Sequence, residues 1–159
     1  MNPLDELEMQ ALHEALDDEY RSWATYDQVM ADFGAVRPFI NIREAESRHI
    51  EALCALFAVY GLPVPANPWP GKVDRYASLQ AACEAGVVGE VANGQMYDRL
   101  LAQTRRNDIL VVLRRLQQAS QQRHLPAFQR GAQRAARGGG TGPHGRGGPG
   151  HRHAGVRPG

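Results

Sequence analysis

The sequence predicts an all-α protein: an antiparallel four-helix bundle with one long crossover between its second and third helices, followed by a disordered C-terminal tail. Three observations predict it. Apolar residues recur at spacings of three and four along four long stretches. Only a few residues separate the first stretch from the second and the third from the fourth, whereas 61–77 lies between the second and third. Beyond about residue 135 apolar residues almost vanish.

The first helix opens at Asn2-Pro3, a capping residue followed by a proline suited to the first turn. Leu12, Leu16, Glu19, Trp23, Tyr26 and Met30 share its inner face, and Gly34 is a natural stop. Pro38 restarts the chain. The second helix runs to about Tyr60 with Ile42, Glu46, His49, Leu53 and Leu56 along its stripe. Four prolines then rule out a helix from Gly61 to Gly71. A third helix begins near Ser78 and presents Leu79, Cys83, Gly86, Glu90, Asn93, Tyr97 and Leu100. Its glycines at 86, 89 and 94 each cost about 1 kcal/mol relative to alanine. Thr104 or Asn107 caps the fourth helix, whose face reads Leu110, Leu113, Gln117, Gln121, His124 and Phe128, with a kink expected at Pro126.

Chain length decides how the helices connect. A helix of about 24 residues spans ~36 Å. An extended stretch of about 12 residues reaches ~40 Å. The 61–77 segment can therefore travel the height of the bundle and start the third helix at the opposite end.

Composition narrows the function classes. The chain has 159 residues, 43% of them hydrophobic, which suits one domain at 1–135 with a tail at 136–159. No apolar run approaches the ~20 residues of a membrane span. No basic start followed by an apolar run resembles a signal peptide, so the expected compartment is the cytoplasm and no membrane partner is expected. Cys54 and Cys83 fit no redox or zinc spacing and read as reduced, buried thiols. The net charge of +1 conceals an acidic body and a basic tail: residues 130–159 hold six arginines and no acid. His144, His151 and His153 of the tail are metal candidates, but no aromatic residue accompanies its arginines, which argues against nucleic acid as a partner.

One polar constellation lies in phase with the core. Glu46 and His49, three apart, face the same way as their apolar neighbours. Burying a charge is expensive unless a partner satisfies it. Glu19 is followed seven residues later by Tyr26, and Glu90 by Tyr97, two turns in each case. The fourth helix offers Gln121 and His124 at the spacing of Glu46 and His49. Two helices with one glutamate each, and two with a carboxylate and an imidazole at i, i+3, form the donor set of a two-metal site. The expected ligands are Glu19, Glu46, His49, Glu90 and His124. Gln121 is the odd member, because its neutral amide binds metal less well than a carboxylate. Tyr26 and Tyr97 are expected behind them, hydrogen-bonded to ligating carboxylates. Trp23 and Trp69 read as packing residues. His13, Glu14, Glu44, Glu51 and Glu84 fall off the inner faces and read as solvated.

The segments Ala15-Leu-Asp-Asp-Glu-Tyr20, Pro38-Phe-Ile-Asn-Ile-Arg-Glu-Ala-Glu-Ser-Arg-His49, Tyr60-Gly-Leu-Pro-Val-Pro65 and His124-Leu-Pro-Ala-Phe128 resemble the uncharacterised ferritin-like proteins of bacteria and archaea. These form a domain of unknown function near rubrerythrin and erythrin. The resemblance covers residues 4–133. It implies a ferritin-like bundle with a carboxylate-bridged dimetal site. Two iron ions are the expected cofactor, with manganese or zinc as alternatives. It places metal ligands at Glu19, Glu46, His49, Glu90 and His124, and a departure at Gln121, where the better-studied relatives often carry a carboxylate. The chain lacks the paired cysteines of a rubredoxin module, so an electron donor would be a separate partner. A homodimer is compatible with the sequence.

Three functions follow as expectations: a di-iron oxidoreductase of ferroxidase or peroxidase type, a protein that binds or buffers metal without turnover, and a metal-free helical scaffold.

Overall fold

A computed structural model describes residues 2–138, and every regular element among them is helical. The helices are α1 (Glu6–Phe33), α2 (Phe39–Val59), α3 (Leu79–Leu101), α4 (Asn107–Ala119) and α5 (Leu125–Gly138). A π-helical turn, Ser120–His124, joins α4 to α5. The two therefore act as one interrupted fourth rod. Helix α5 continues to Gly138, past the expected end of the bundle at 135. Residues 139–159, with the tail histidines, lie outside the described residues.

Several helix ends follow local rules. Gly34 closes α1 at φ 92°, a conformation that suits glycine. Ser78 caps α3 by accepting a hydrogen bond from Ala81 N at 3.1 Å. Two starts differ from expectation. Helix α1 begins after Asp5, not at Asn2-Pro3, because Asp5 and Glu8 satisfy each other's backbone N–H groups at 2.8 and 3.2 Å. Neither Thr104 nor Asn107 caps α4. Arg106 is the cap residue and makes no side-chain cap, while Thr104 Oγ1 is bound to the buried carboxylate of Glu8 at 2.5 Å.

Side-chain pairings fix helix directions. Trp23 with Ser47 and Asp27 with Arg43 set α1 against α2 in opposite senses. Glu14 with Arg99, Asp18 with Asn93 and Tyr26 with Glu90 do the same for α1 and α3. Gln117 with Gly94 and Gln121 with Glu90 align the fourth rod antiparallel to α3. The 60–78 segment lies along α1. Pro65 O accepts from Tyr20 Oη at 2.8 Å, Trp69 Nε1 donates to Asp17 at 2.9 Å, and Arg75 pairs with Asp32 at 2.5 and 3.0 Å.

The interior has two apolar clusters. One contains Leu12, Leu16, Leu53, Phe57, Leu100, Ile109 and Leu113. The other contains Val29, Phe39, Ile42, Cys83 and Phe128, with Tyr26, Phe39 and Phe128 in mutual ring contact at 5.2–5.9 Å. Between them lies a buried polar layer of Glu19, Glu46, Glu90, Asn93, Ser120 and His124. Cys83 is buried, whereas Cys54 is only half-buried; both are free thiols. No described helix is long and apolar enough to cross a membrane.

Close packing accounts for two of the α3 glycines. A Cβ on Gly86 would stand 2.7 Å from the Phe128 ring, and one on Gly94 would stand 2.5 Å from the Gln121 amide. Gly89 faces open space. Alanine at 86 is therefore expected to destabilise the fold by about 1–3 kcal/mol through overpacking. Alanine at 89 is expected to stabilise it by about 1 kcal/mol. Urea unfolding of the two variants beside the parent checks both signs.

Candidate metal centre

Five of the six expected ligands meet in the polar layer, and they do so as two groups with one shared member. Glu19, Glu46 and His49 form one group, and Glu46, Glu90 and His124 the other. Within each group the ligand atoms all lie within 4.8 Å of one another. Donors about 2.1 Å from one ion can be at most ~4.2 Å apart, so a small contraction closes each group around a cation.

Glu46 is the shared member. Its Oε2 lies 3.3 Å from His49 Nδ1 and its Oε1 lies 3.3 Å from His124 Nδ1. Each imidazole also faces a second carboxylate: Glu19 Oε2 at 3.5 Å from His49, and Glu90 Oε1 at 3.4 Å from His124. The two rings stack with centroids 5.5 Å apart. Glu19, Glu46, Glu90 and His124 are all buried, and His49 keeps slight exposure. Nδ1 of His124 is buried without a hydrogen bond of good geometry, despite the carboxylate oxygens nearby. A buried nitrogen that faces two carboxylates without an aligned hydrogen bond to either suits a ligand atom of the same group.

The tyrosines cross over. Tyr97 of α3 donates to Glu19 Oε1 of α1 at 2.5 Å, and Tyr26 of α1 donates to Glu90 Oε1 of α3 at 3.0 Å. Each phenol thus orients the carboxylate of the other helix. Both phenols are raised well above the ordinary tyrosine range, first by burial and then by the carboxylates beside them.

Gln121 does not join the cluster. Its Nε2 donates to Glu90 O at 2.7 Å and to Ser120 Oγ at 2.8 Å. Ser120 takes the inner place instead, and its hydroxyl donates to Glu90 Oε2. The π turn is the reason. It widens the helix locally, so the residue that faces inward one turn before His124 is four positions back rather than three. The i, i+3 rule selects Gln121; the four-residue spacing of Leu116, Ser120, His124 and Phe128, all buried, was the available signal for Ser120. A neighbouring acid also escaped notice. Asp18 accepts from Asn93 at 2.6 Å and approaches Arg21 at 3.5 Å, and burial followed by the charge of Glu19 raises it to about 6. Glu14, Glu44, Glu51 and Glu84 are exposed, as expected of off-face positions. A cavity of about 580 Å³ opens between α1, α3 and the 60–78 segment, lined in part by Asp18, Arg21, Tyr26, Trp69 and Gly86.

No family model and no curated protein matches this chain. Among solved structures it is similar to hypothetical protein MJ0754 from Methanococcus jannaschii DSM 2661, with a TM-score of 0.76, 22% identity, and coverage of 86% of this chain and 85% of that one. A likeness at that identity concerns the fold alone.

The metal-free cluster stores protons. Burial opposes charge on His49, but hydrogen bonds to Glu19 and Glu46 outweigh it and push the imidazole up to about 10. Burial also opposes charge on His124, but the close carboxylates of Glu46 and Glu90 outweigh it and push that imidazole up to about 9. Burial, then the charge of Glu46, raises Glu19 to about 8. Burial also opposes ionisation of Glu46, yet hydrogen bonds from Glu19, His124 and His49 hold its carboxyl below the usual range. An imidazole raised above its ordinary 6.5 contributes stability that is full below that pH and lost as pH climbs through the folded value. The metal-free protein is therefore expected to lose stability steadily from about pH 7 to pH 10. Urea midpoints measured in chelator across that range check this, and a flat or rising profile contradicts it.

Proposed function

We propose that this chain is a ferritin-like protein that holds a pair of transition-metal ions, two irons being the best match, and uses them to oxidise Fe(II) or reduce oxygen or peroxide. The observation that carries this reading is the Glu46 carboxylate, whose two oxygens face two imidazoles, each backed by its own second carboxylate. A carboxylate so placed suits two cations at once, and the mixed oxygen and nitrogen donors suit iron, manganese or zinc. His124 Nδ1, buried and without an aligned hydrogen bond, fits the same set.

The ferritin-like assignment draws support from the helix pairings. With α1 antiparallel to both α2 and α3, the second and third helices run in the same sense. A connection between parallel neighbours must return along the bundle, and the contacts of the 60–78 segment with α1 follow that path.

Glu19, Glu46 and His49 would hold one ion, and Glu90, His124 and Glu46 the other. A bound iron pair supplies one-electron redox chemistry. The chain's own residues do the rest. Tyr97 and Tyr26 fix the orientation of Glu19 and Glu90. The apolar clusters above and below bury the layer, and only His49 keeps slight exposure. Binding displaces the protons held at His49, His124 and Glu19, so metal affinity rises with pH through the neutral range.

Anaerobic Fe(II) titration followed by exposure to oxygen tests the proposal. Two irons per chain and a new near-ultraviolet band on oxygenation are the expected result. Stoichiometric iron without any oxygen-dependent change assigns storage or buffering instead. Glu46→Ala, shown to be helical by circular dichroism, is expected to lose both ions; metal binding equal to the parent ends the site assignment. Tyr97→Phe is expected to keep the stoichiometry and weaken affinity about 10–100-fold.

A further inference from the structure

The cage is built as a repeat with one member changed. On α1 and α3, Glu19 with Tyr26 answers Glu90 with Tyr97, and each phenol holds the other helix's glutamate. On α2, Glu46 stands one turn before His49. One turn before His124 stands Ser120, a neutral hydroxyl bound to Glu90 Oε2. Gln121 is turned away onto the main chain of Glu90 and fills the space above Gly94. The fourth rod therefore offers no anionic atom to the cluster.

Charge then decides the question. Glu19, Glu46 and Glu90 are the carboxylates of the two ligand groups. They offset three of the four positive charges of two divalent ions, and the remaining charge is left in a buried layer. Asp18, the nearest other acid, belongs to neither group and is engaged by Asn93 and Arg21. An uncompensated buried charge is costly and demands a counter-ion.

Resting on the dimetal reading, we propose that the metal pair takes one small monocarboxylate from solution on the Ser120 side, where the fourth rod supplies a hydroxyl in place of the carboxylate that α2 supplies. The exogenous carboxylate neutralises the remaining charge and adds two oxygen donors beside Glu90 and His124. The lack of a carboxylate at position 120, rather than the Ser120 hydroxyl itself, is thus what makes the site a receptor for a small acid as well as for metal.

Cobalt(II) titration of the metal-free full-length protein in a sulfonate buffer, with and without acetate, provides the test, read by visible d–d absorption and by calorimetry. Acetate is expected to shift the d–d bands and to tighten the second cobalt by about tenfold or more. Ser120→Ala is expected to keep that response. Ser120→Glu, which supplies the carboxylate from the chain, is expected to bind both ions tightly without acetate and to lose the response. Two cobalt ions bound by the parent with the same affinities and bands in both buffers overturn the proposal, as does a single ion in both. Absence of cobalt binding sinks the dimetal reading itself, a separate outcome. The parent and Ser120→Ala titrations decide the matter even where the glutamate variant fails to fold.

Discussion

Everything in this bundle is arranged around one carboxylate that cannot be left alone. Glu46 is 2% exposed and lies between two imidazoles from different helices. A charge in that position must be met by groups that are themselves buried, and those groups need partners in turn. The requirement spreads outward from Glu46 to His49 and His124, then to Glu19 and Glu90, then to Tyr97 and Tyr26. All four helical rods are committed by that chain of obligations. The apolar clusters on either side supply the burial energy, while the polar layer fixes which helix faces which.

The close approach of α3 to the fourth rod is the second constraint. Helix α3 contributes Glu90 and Tyr97, and it reaches the cluster because Gly86 and Gly94 let Phe128 and Gln121 lie nearly against its backbone. Glycines that weaken the helix as an isolated element are what allow it to be near enough to serve the site. Local propensity and tertiary need oppose each other at these positions, and the tertiary need prevails.

Much of this was legible in the chain because helical periodicity reports on burial. The phase of Glu19, Glu46, Glu90 and His124 among leucines and aromatics places them inside, and the seven-residue step from each glutamate to its tyrosine places the phenols beside them. The order of the four helix ends at the two short connections was equally readable. What the periodicity misjudged was Gln121, since the i, i+3 rule assumes an unbroken α-helix and the π turn suspends it. The capping of α1 by Asp5 was missed because Asn2-Pro3 is a strong local signal that competes with the capping box three residues on. Each error has a competing signal in the chain, the Asp5-x-x-Glu8 capping box and the four-residue spacing ending at His124 and Phe128, and which signal prevails depends on the hydrogen bonds the backbone makes.

The π turn has a consequence for how this protein can vary. An added residue in a long helix normally rotates everything beyond it by about 100° and scrambles one side of the core. Here the surplus is absorbed within Ser120–His124, so Leu116 before it and Phe128 after it both still point inward. Loss of one residue between Ser120 and His124 would leave Ser-x-x-His at the spacing of Glu46-x-x-His49, with an ordinary α-helix in place of the widened turn. The fourth rod thus carries a point at which single-residue insertions and deletions are tolerable, next to the side chain that distinguishes one half of the cage from the other.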